Sequence, residues 1–316
     1  MIILTMKFAL IFLIGTVSAF SQSSLRTIAV TIDDLPVVST RRDLKNRQEI
    51  TKKLIGHIKK AKIPAIGFVN ENKLYSNDVR DEEQIKLLRM WLDAGLELGN
   101  HTYSHRGLNN IPLAEYQADL LKGEAITREL LGRKGKQIRY FRHPFLHTGR
   151  SMEVKGQFDA FLKLHGYTIA PITFDNADYI FSRAYDIAFD KGDMPLMKKV
   201  GDAYVPYMEA KLAYWERQSM KLFGREMSQT LLIHANFINS DYLDDLAAMF
   251  KRRGYKIVSL GETLKDEAYL LPDNYVGPAG ISWLHRWARD KGREFVVPDE
   301  PKVPEFVLKL SGFESE

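Results

Sequence analysis

Thr27-Ile28-Ala29-Val30-Thr31-Ile32-Asp33-Asp34-Leu35-Pro36 is an apolar, β-branched run that ends in two adjacent carboxylates. Residues 27–33 read as a β-strand, because Val, Ile and Thr suit a pleated, buried surface. Pro36 is consistent with the strand ending there. Neighbouring carboxylates after such a run are costly unless something uses them. Side chains alternate between the two faces of a strand. The backbone is therefore expected to turn at Asp33-Asp34 if both are to reach one site. Alone, the pair reads equally well as a turn or a cap.

Outward from this stretch the same pattern recurs. Residues 65–70, 96–101, 139–143, 167–173, 230–234 and 256–260 are further strand candidates. Helix-length segments lie between them, at 42–61, 81–94, 112–131, 152–165 and 240–253. Such alternation predicts parallel strands joined by crossover helices. About seven units favour an α/β barrel of parallel strands over an open sheet. A long, mostly helical stretch without a strand separates residues 173 and 230, which we read as a helical insertion. The expected division is a signal peptide at 1–21, a barrel at 22–266, and a C-terminal extension at 267–316 packed on the barrel. Trp283, His285 and Trp287 in that extension are read as packing groups rather than as platforms for sugar rings.

The composition is that of a globular protein, with 45% hydrophobic and 27% charged residues among 316. The net charge of +5 is spread along the chain without a dense basic tract, so nucleic acid is not an expected partner. There is no cysteine, which excludes disulfides and anchoring through a lipidated cysteine. Near the N-terminus, Lys7 precedes an apolar run at 8–17 and then Ser18-Ala19-Phe20-Ser21-Gln22. One positive charge, a short apolar run and small residues make a secretory signal pattern. The run is shorter than the roughly 20 residues that span a bilayer. Cleavage is expected between Ala19 and Gln22, giving a secreted or periplasmic bacterial protein with no stable membrane insertion. The oligomeric state is not legible.

In parallel α/β folds chemistry gathers at the carboxyl ends of strands. The third strand candidate ends in Gly99-Asn100-His101-Thr102-Tyr103-Ser104-His105. Two histidines four apart share a face if the intervening residues make a helical turn. Zinc accepts imidazole nitrogen and carboxylate oxygen, and a catalytic zinc site keeps a position open for water. Asp34, His101 and His105 would leave that position. Further strand ends carry Phe141-Arg142-His143-Pro144-Phe145, Thr173-Phe174-Asp175-Asn176-Ala177-Asp178-Tyr179 and Leu231-Leu232-Ile233-His234. An Arg at a strand end, such as Arg142, is usually an ion-pairing surface residue; here it could instead hold a catalytic carboxylate in place and keep it ionised. A lone His such as His234 is, by itself, more simply a core histidine.

The pieces are individually weak, but their order is specific. Asp-Asp, His-x-x-x-His, Arg-x-Pro-Phe, Asp-x-x-Asp-aromatic and Leu-x-His follow one another at successive strand ends. This series resembles the polysaccharide deacetylase family, also called carbohydrate esterase family four or the NodB-homology domain, over roughly residues 28–264. The resemblance implies a distorted (β/α) barrel of about seven parallel strands and a divalent metal, zinc in the first place, bound by Asp34, His101 and His105. It implies Asp33 as general base, Arg142 as the residue that orients it, and His234 as general acid paired with Asp178. Phe145 would offer its backbone N–H to the oxyanion, and Tyr179 and Leu232 would line the acyl pocket. The implied substrate is an acetylated glycan, cleaved at N-acetyl or O-acetyl groups. A small-molecule amidase of the same fold and an inactive glycan-binding protein are the alternatives. The sequence departs from the family where Leu35-Pro36 replaces the usual Gly, and where Tyr179 stands for the usual Trp.

Overall fold

Parallel strands cannot be joined by tight turns, and this chain supplies a long crossover after nearly every strand. The computed structural model describes residues 26–41, 43–292 and 299–316; the signal segment read at 1–21 lies outside them. In chain order the strands are β1 (Arg26–Leu35), β2 (Ile66–Val69), a short hairpin of β3 (Tyr75–Ser76) and β4 (Val79–Arg80), β5 (Glu97–Asn100), β6 (Tyr140–Phe141), β7 (Thr168–Ile169), β8 (Gln229–His234) and β9 (Tyr255–Val258). Apart from the hairpin they form one sheet in the order β7-β6-β5-β2-β1-β8, with β9 also paired to β1. Every pairing in it is parallel. Just beyond β7, Phe174 bridges Leu231 of β8. The two ends of the sheet are thereby drawn together into a distorted (β/α) barrel, the barrel that the alternation predicted in the form that the resemblance implied.

β1 is central, and its burial on both faces explains its apolar composition. Ile28, Val30 and Ile32 belong to the large core beneath the surrounding helices. Ala29 instead joins Ile66, Phe68, Tyr140, Ala170 and Leu260 in a separate cluster. By alternation, Thr31 and Asp33 share the face of Ala29. The interior thus changes from apolar at Ala29, through Thr31, to charged at Asp33. The register of β1 against β2 slips between Ile32 and Leu35, and Asp34 takes a left-handed φ of 69°. This bulge is the expected turn, and it lets two adjacent carboxylates serve one cavity.

Two helix readings change. The segment 112–131 is two helices, Leu113–Lys122 and Ala125–Gly132. A Cβ at Gly123 would lie 2.4 Å from the backbone of Thr102 and Tyr103. The break therefore lets the histidine loop pack directly on the chain. The helix read at 240–253 begins at Phe237, because the Asn236 side chain accepts from the Asn239 N–H and caps it there. The insertion is helical as read, with Asp178–Asp190 followed by Met194–Phe223.

Beyond the barrel, helices Trp283–Asp290 and Glu305–Ser311 lie against the preceding elements. The Trp283 N–H donates to the Ile172 carbonyl at 2.7 Å, and Arg183 Nε donates to the Ser311 carbonyl at 2.9 Å. Trp283 and Trp287 are buried, and the His285 ring packs on Trp215, so these three are packing groups as read. No helix among the described residues is long and apolar enough to cross a membrane.

Candidate active site

Among the described residues, Asp34, His101 and His105 each present a ligand atom, all within 4.8 Å of one another. The histidines do not meet through a helical turn. Residues 101–105 are irregular, with left-handed φ at Thr102 and His105. Polar anchors hold this loop instead. Asn70 Nδ2 donates to the His101 carbonyl, the Thr102 N–H donates to Asn100 Oδ1, and the Ser104 N–H donates to Asp119 Oδ2. His101 Nδ1 lies 2.8 Å from the Arg142 carbonyl. Its other nitrogen therefore faces Asp34 Oδ1 at 3.8 Å, and His105 Nε2 reaches the same oxygen at 3.4 Å.

The electrostatics of the trio suit a cation. Burial alone would raise the pKa of Asp34, but Lys73 and the nearby histidines outweigh it and hold the carboxyl well below the usual range. Burial keeps His101 and His105 neutral by pushing their pKa values down. An ionised carboxylate and two neutral imidazoles form a donor set for a divalent metal. Asp34 Oδ1 is buried without a hydrogen-bond partner, as an atom reserved for a ligand would be.

Asp33 adjoins this trio, with its Oδ2 3.6 Å from His101 Nε2. Arg142 is fully buried, donates to Thr31 Oγ1 at 2.8 Å and lies over the Phe68 ring. Its Nη1 is 3.5 Å from Asp33 Oδ2. Burial pushes the Asp33 carboxyl up to about 6, against the opposing pull of Arg142 and His234. On the other side, His234 Nδ1 is 2.7 Å from Asp178 Oδ1. Burial opposes a charge on His234, but Asp178, with Asp34 and Asp33, overcomes it and raises the imidazole to about 9. Asp178 Oδ2 accepts from the His234 N–H and from the Asn236 and Asn239 side chains. That carboxylate is thereby fixed in place.

A cavity of about 760 Å³ opens over these groups. Of the residues singled out in the sequence, Asp33, Asp34, His101, His105 and His234 line it. Phe145, Tyr179 and Leu232 line it as well. Arg142 and Asp178 lie behind it, each paired to one of the lining groups. All ten are therefore brought to one place.

Several further residues were not legible. Lys73 Nζ donates to the Asp34 carbonyl at 2.8 Å and lies 3.7 Å from Asp34 Oδ1. Nothing in the sequence points to it. Asn236 and Asn239 could have been found from the cap signal after Leu-x-His. Arg286 supports the loop that carries Phe145, in which Phe145 and Leu146 have φ of 56° and 54°. Left-handed backbone is strained at bulky residues. Fully buried Arg286 donates to the Leu146 carbonyl, to Thr148 Oγ1 and to Asp273. Gly280 packs so closely on this loop that a Cβ there would meet the Phe145 carbonyl. Arg286→Met is expected to cost about 3 kcal/mol, because it leaves buried acceptors unpaired. Urea unfolding would measure the loss, and a change under about 0.5 kcal/mol, the range of ordinary surface substitutions, would refute the support role.

Residues 21–160 match the family profile described as polysaccharide deacetylase. The matched segment holds Asp33, the candidate metal trio of Asp34, His101 and His105, Arg142 and Phe145. No curated protein matches by sequence. Among solved structures, a chitin deacetylase from the fungal pathogen Colletotrichum lindemuthianum is 22% identical over 79% of this chain and 91% of that one, with a TM-score of 0.51. An acetyl xylan esterase of carbohydrate esterase family four from Clostridium thermocellum, in complex with a cobalt ion, is 17% identical over 76% and 91%, with a TM-score of 0.50. A mutant of a pseudoenzyme of the same esterase family is 16% identical over 76% and 68%, also at 0.50. At these identities the likeness speaks for the fold.

Proposed function

We propose that this chain is a divalent-metal-dependent hydrolase that removes acetyl groups from N-acetylated carbohydrate. The observation that carries the reading is that Asp33 and the Asp178-held His234 line the same cavity as Asp34, His101 and His105. A divalent cation held by those three, zinc in the first place, would supply Lewis acidity to an acyl carbonyl and to water. Asp33 takes the proton from the attacking water, and Arg142 orients its carboxylate. His234 donates a proton to the departing nitrogen, which leaves poorly without one. The Phe145 N–H stabilises the oxyanion, a donor of a kind worth about 3 kcal/mol. Tyr179 and Leu232 border the acyl group. Retention of both Asp33 and His234 weighs against an inactive glycan-binding protein. The signal pattern at 1–21 argues for a substrate among glycans outside the bacterial cytoplasm, with residues 22–266 as the catalytic barrel and 267–316 as its extension.

The test is acetate release by the purified protein from chitin oligomers, peptidoglycan, poly-N-acetylglucosamine and acetylated xylan, with zinc present and then chelated. Metal-dependent release from an N-acetylated member is expected. Release from acetylated xylan alone would move the activity to O-acetyl esters. No release from any of them, with metal bound, would overturn the reading in favour of a small-amide hydrolase or an inactive glycan-binding protein.

A further inference from the structure

The cavity has a wall that the barrel itself does not build. Glu300, Phe313 and Glu316 line it together with Tyr179 and Asp186 of the helix Asp178–Asp190. The segment 300–316 is pinned in this position at several points. Glu316 Oε1 accepts from Tyr207 at 2.7 Å and from Lys211 at 2.9 Å, and its Oε2 accepts from the Val303 N–H at 3.2 Å. Lys211 is buried and also pairs with Glu300. Val303 and Val307 are buried in the main core. Removing the Glu316 carboxylate would leave a buried lysine with one counter-charge fewer, so the latch is a costly one to open.

The same wall presents chemistry suited to a sugar ring. Phe313 meets Tyr179 edge to face at 5.5 Å. Both rings stay partly exposed, at 39% and 41%, and Phe145 lines the same cavity 55% exposed. Exposed aromatic faces around a cavity suit the C–H faces of a pyranose, an amphipathic ligand. Asp186 supplies a polar handle. Its Oδ2 is held by Ser39 Oγ and the Thr40 N–H, both at 2.8 Å. Asp186 itself borders the cavity, and its buried Oδ1 has no hydrogen-bond partner, an unmet acceptor that a sugar hydroxyl could satisfy after a small side-chain shift. The volume of about 760 Å³ lies within the ~300–1,000 Å³ typical of pockets that enclose a single small ligand.

From these observations, and resting on the deacetylase reading above, we infer that segment 300–316 limits the substrate to a short or terminal N-acetylated saccharide. The interior of a long chain would have to run through Phe313 and the Glu316 latch. A chain end need only insert, with one ring between the aromatic faces and a hydroxyl on Asp186.

The experiment measures kcat/KM for acetate release from N-acetylglucosamine oligomers of one to six units, with zinc-loaded wild type, Phe313→Ala and Glu316→Gln. The wild type is expected to peak at one or two units and to fall about tenfold by the hexamer, within the range that steric discrimination by a pocket reaches. Phe313→Ala is expected to recover most of that loss on the hexamer, with unchanged zinc content. Glu316→Gln, which weakens the latch instead of the ring contact, shifts the profile the same way. Activity that climbs with length to the hexamer in the wild type overturns the inference while leaving the deacetylase reading intact. So does a profile that neither variant alters. Release from no oligomer and from no polymer, with zinc bound, removes the deacetylase reading and this inference with it.

Discussion

Asp34→Asn is expected to strip the divalent metal from this protein and to lower acetate release by about 10³-fold, roughly 4 kcal/mol of barrier. Asp34 is the one anionic member of the trio with His101 and His105. Its ionised form is maintained by Lys73 and the surrounding histidines, so the amide removes the charge the site is built around. The substitution is clean for a backbone reason. Asp34 sits at φ 69°, a conformation that Asn tolerates as readily as Asp and that most residues do not. Loss of folding should therefore not be mistaken for loss of metal. Alanine at the same position would be strained and would confuse the two. The measurement is metal content after dialysis against zinc, alongside acetate release. The variant should match chelated wild type in activity and carry well under one zinc per chain. Full zinc content with full activity in Asp34→Asn would place the metal elsewhere.

What the sequence made legible and what it concealed divide along a physical line. The central strands β1, β2 and β8 were readable because burial on both faces of a parallel sheet demands continuous apolar runs, and the helical insertion because it is long and lacks such a run. Four of the five motifs were readable because each sits at a strand end, and the remaining one, at 175–179, follows the isolated bridge at Phe174. The route by which the side chains converge was not. The Asp pair needs a bulge against β2 that only the register reveals. The two histidines meet across an irregular loop held by Asn70, Asn100 and Asp119 rather than across a helical turn. Asn100 adjoins the loop, but Asn70 and Asp119 come from separate segments with no fixed spacing to it. Lys73, Arg286 and the wall at 300–316 were hidden for the same reason, since each acts through contacts that exist only once the chain has folded. The split at Gly123 is a milder case. Helical periodicity runs across it, and only the close approach of Thr102 explains why the helix breaks there.

His234 gives the second large effect, and its pH dependence distinguishes a proton donor from a structural histidine. His234→Asn is expected to lower kcat about 10²–10⁴-fold, the range of a positioned general acid. The sign of the pH effect follows from the raised imidazole. With Asp178 in place His234 stays protonated up to about 9, so a rate that needs the imidazolium persists through neutral pH and falls as pH rises past that value. In Asp178→Asn the main raising influence is gone, while burial still lowers the pKa. The alkaline limb of kcat should then move down towards the ordinary histidine value of about 6.5 or below. The loss should be severe at about pH 8 and smaller at about pH 6. The side-chain amide introduced by that substitution can also turn towards Nδ1 and select the wrong tautomer, which adds a loss that pH does not relieve. The double variant should be scarcely worse than His234→Asn alone, because the two residues act as one unit. Additive losses, or an alkaline limb in the same place with and without Asp178, would mean that some other group protonates the leaving nitrogen.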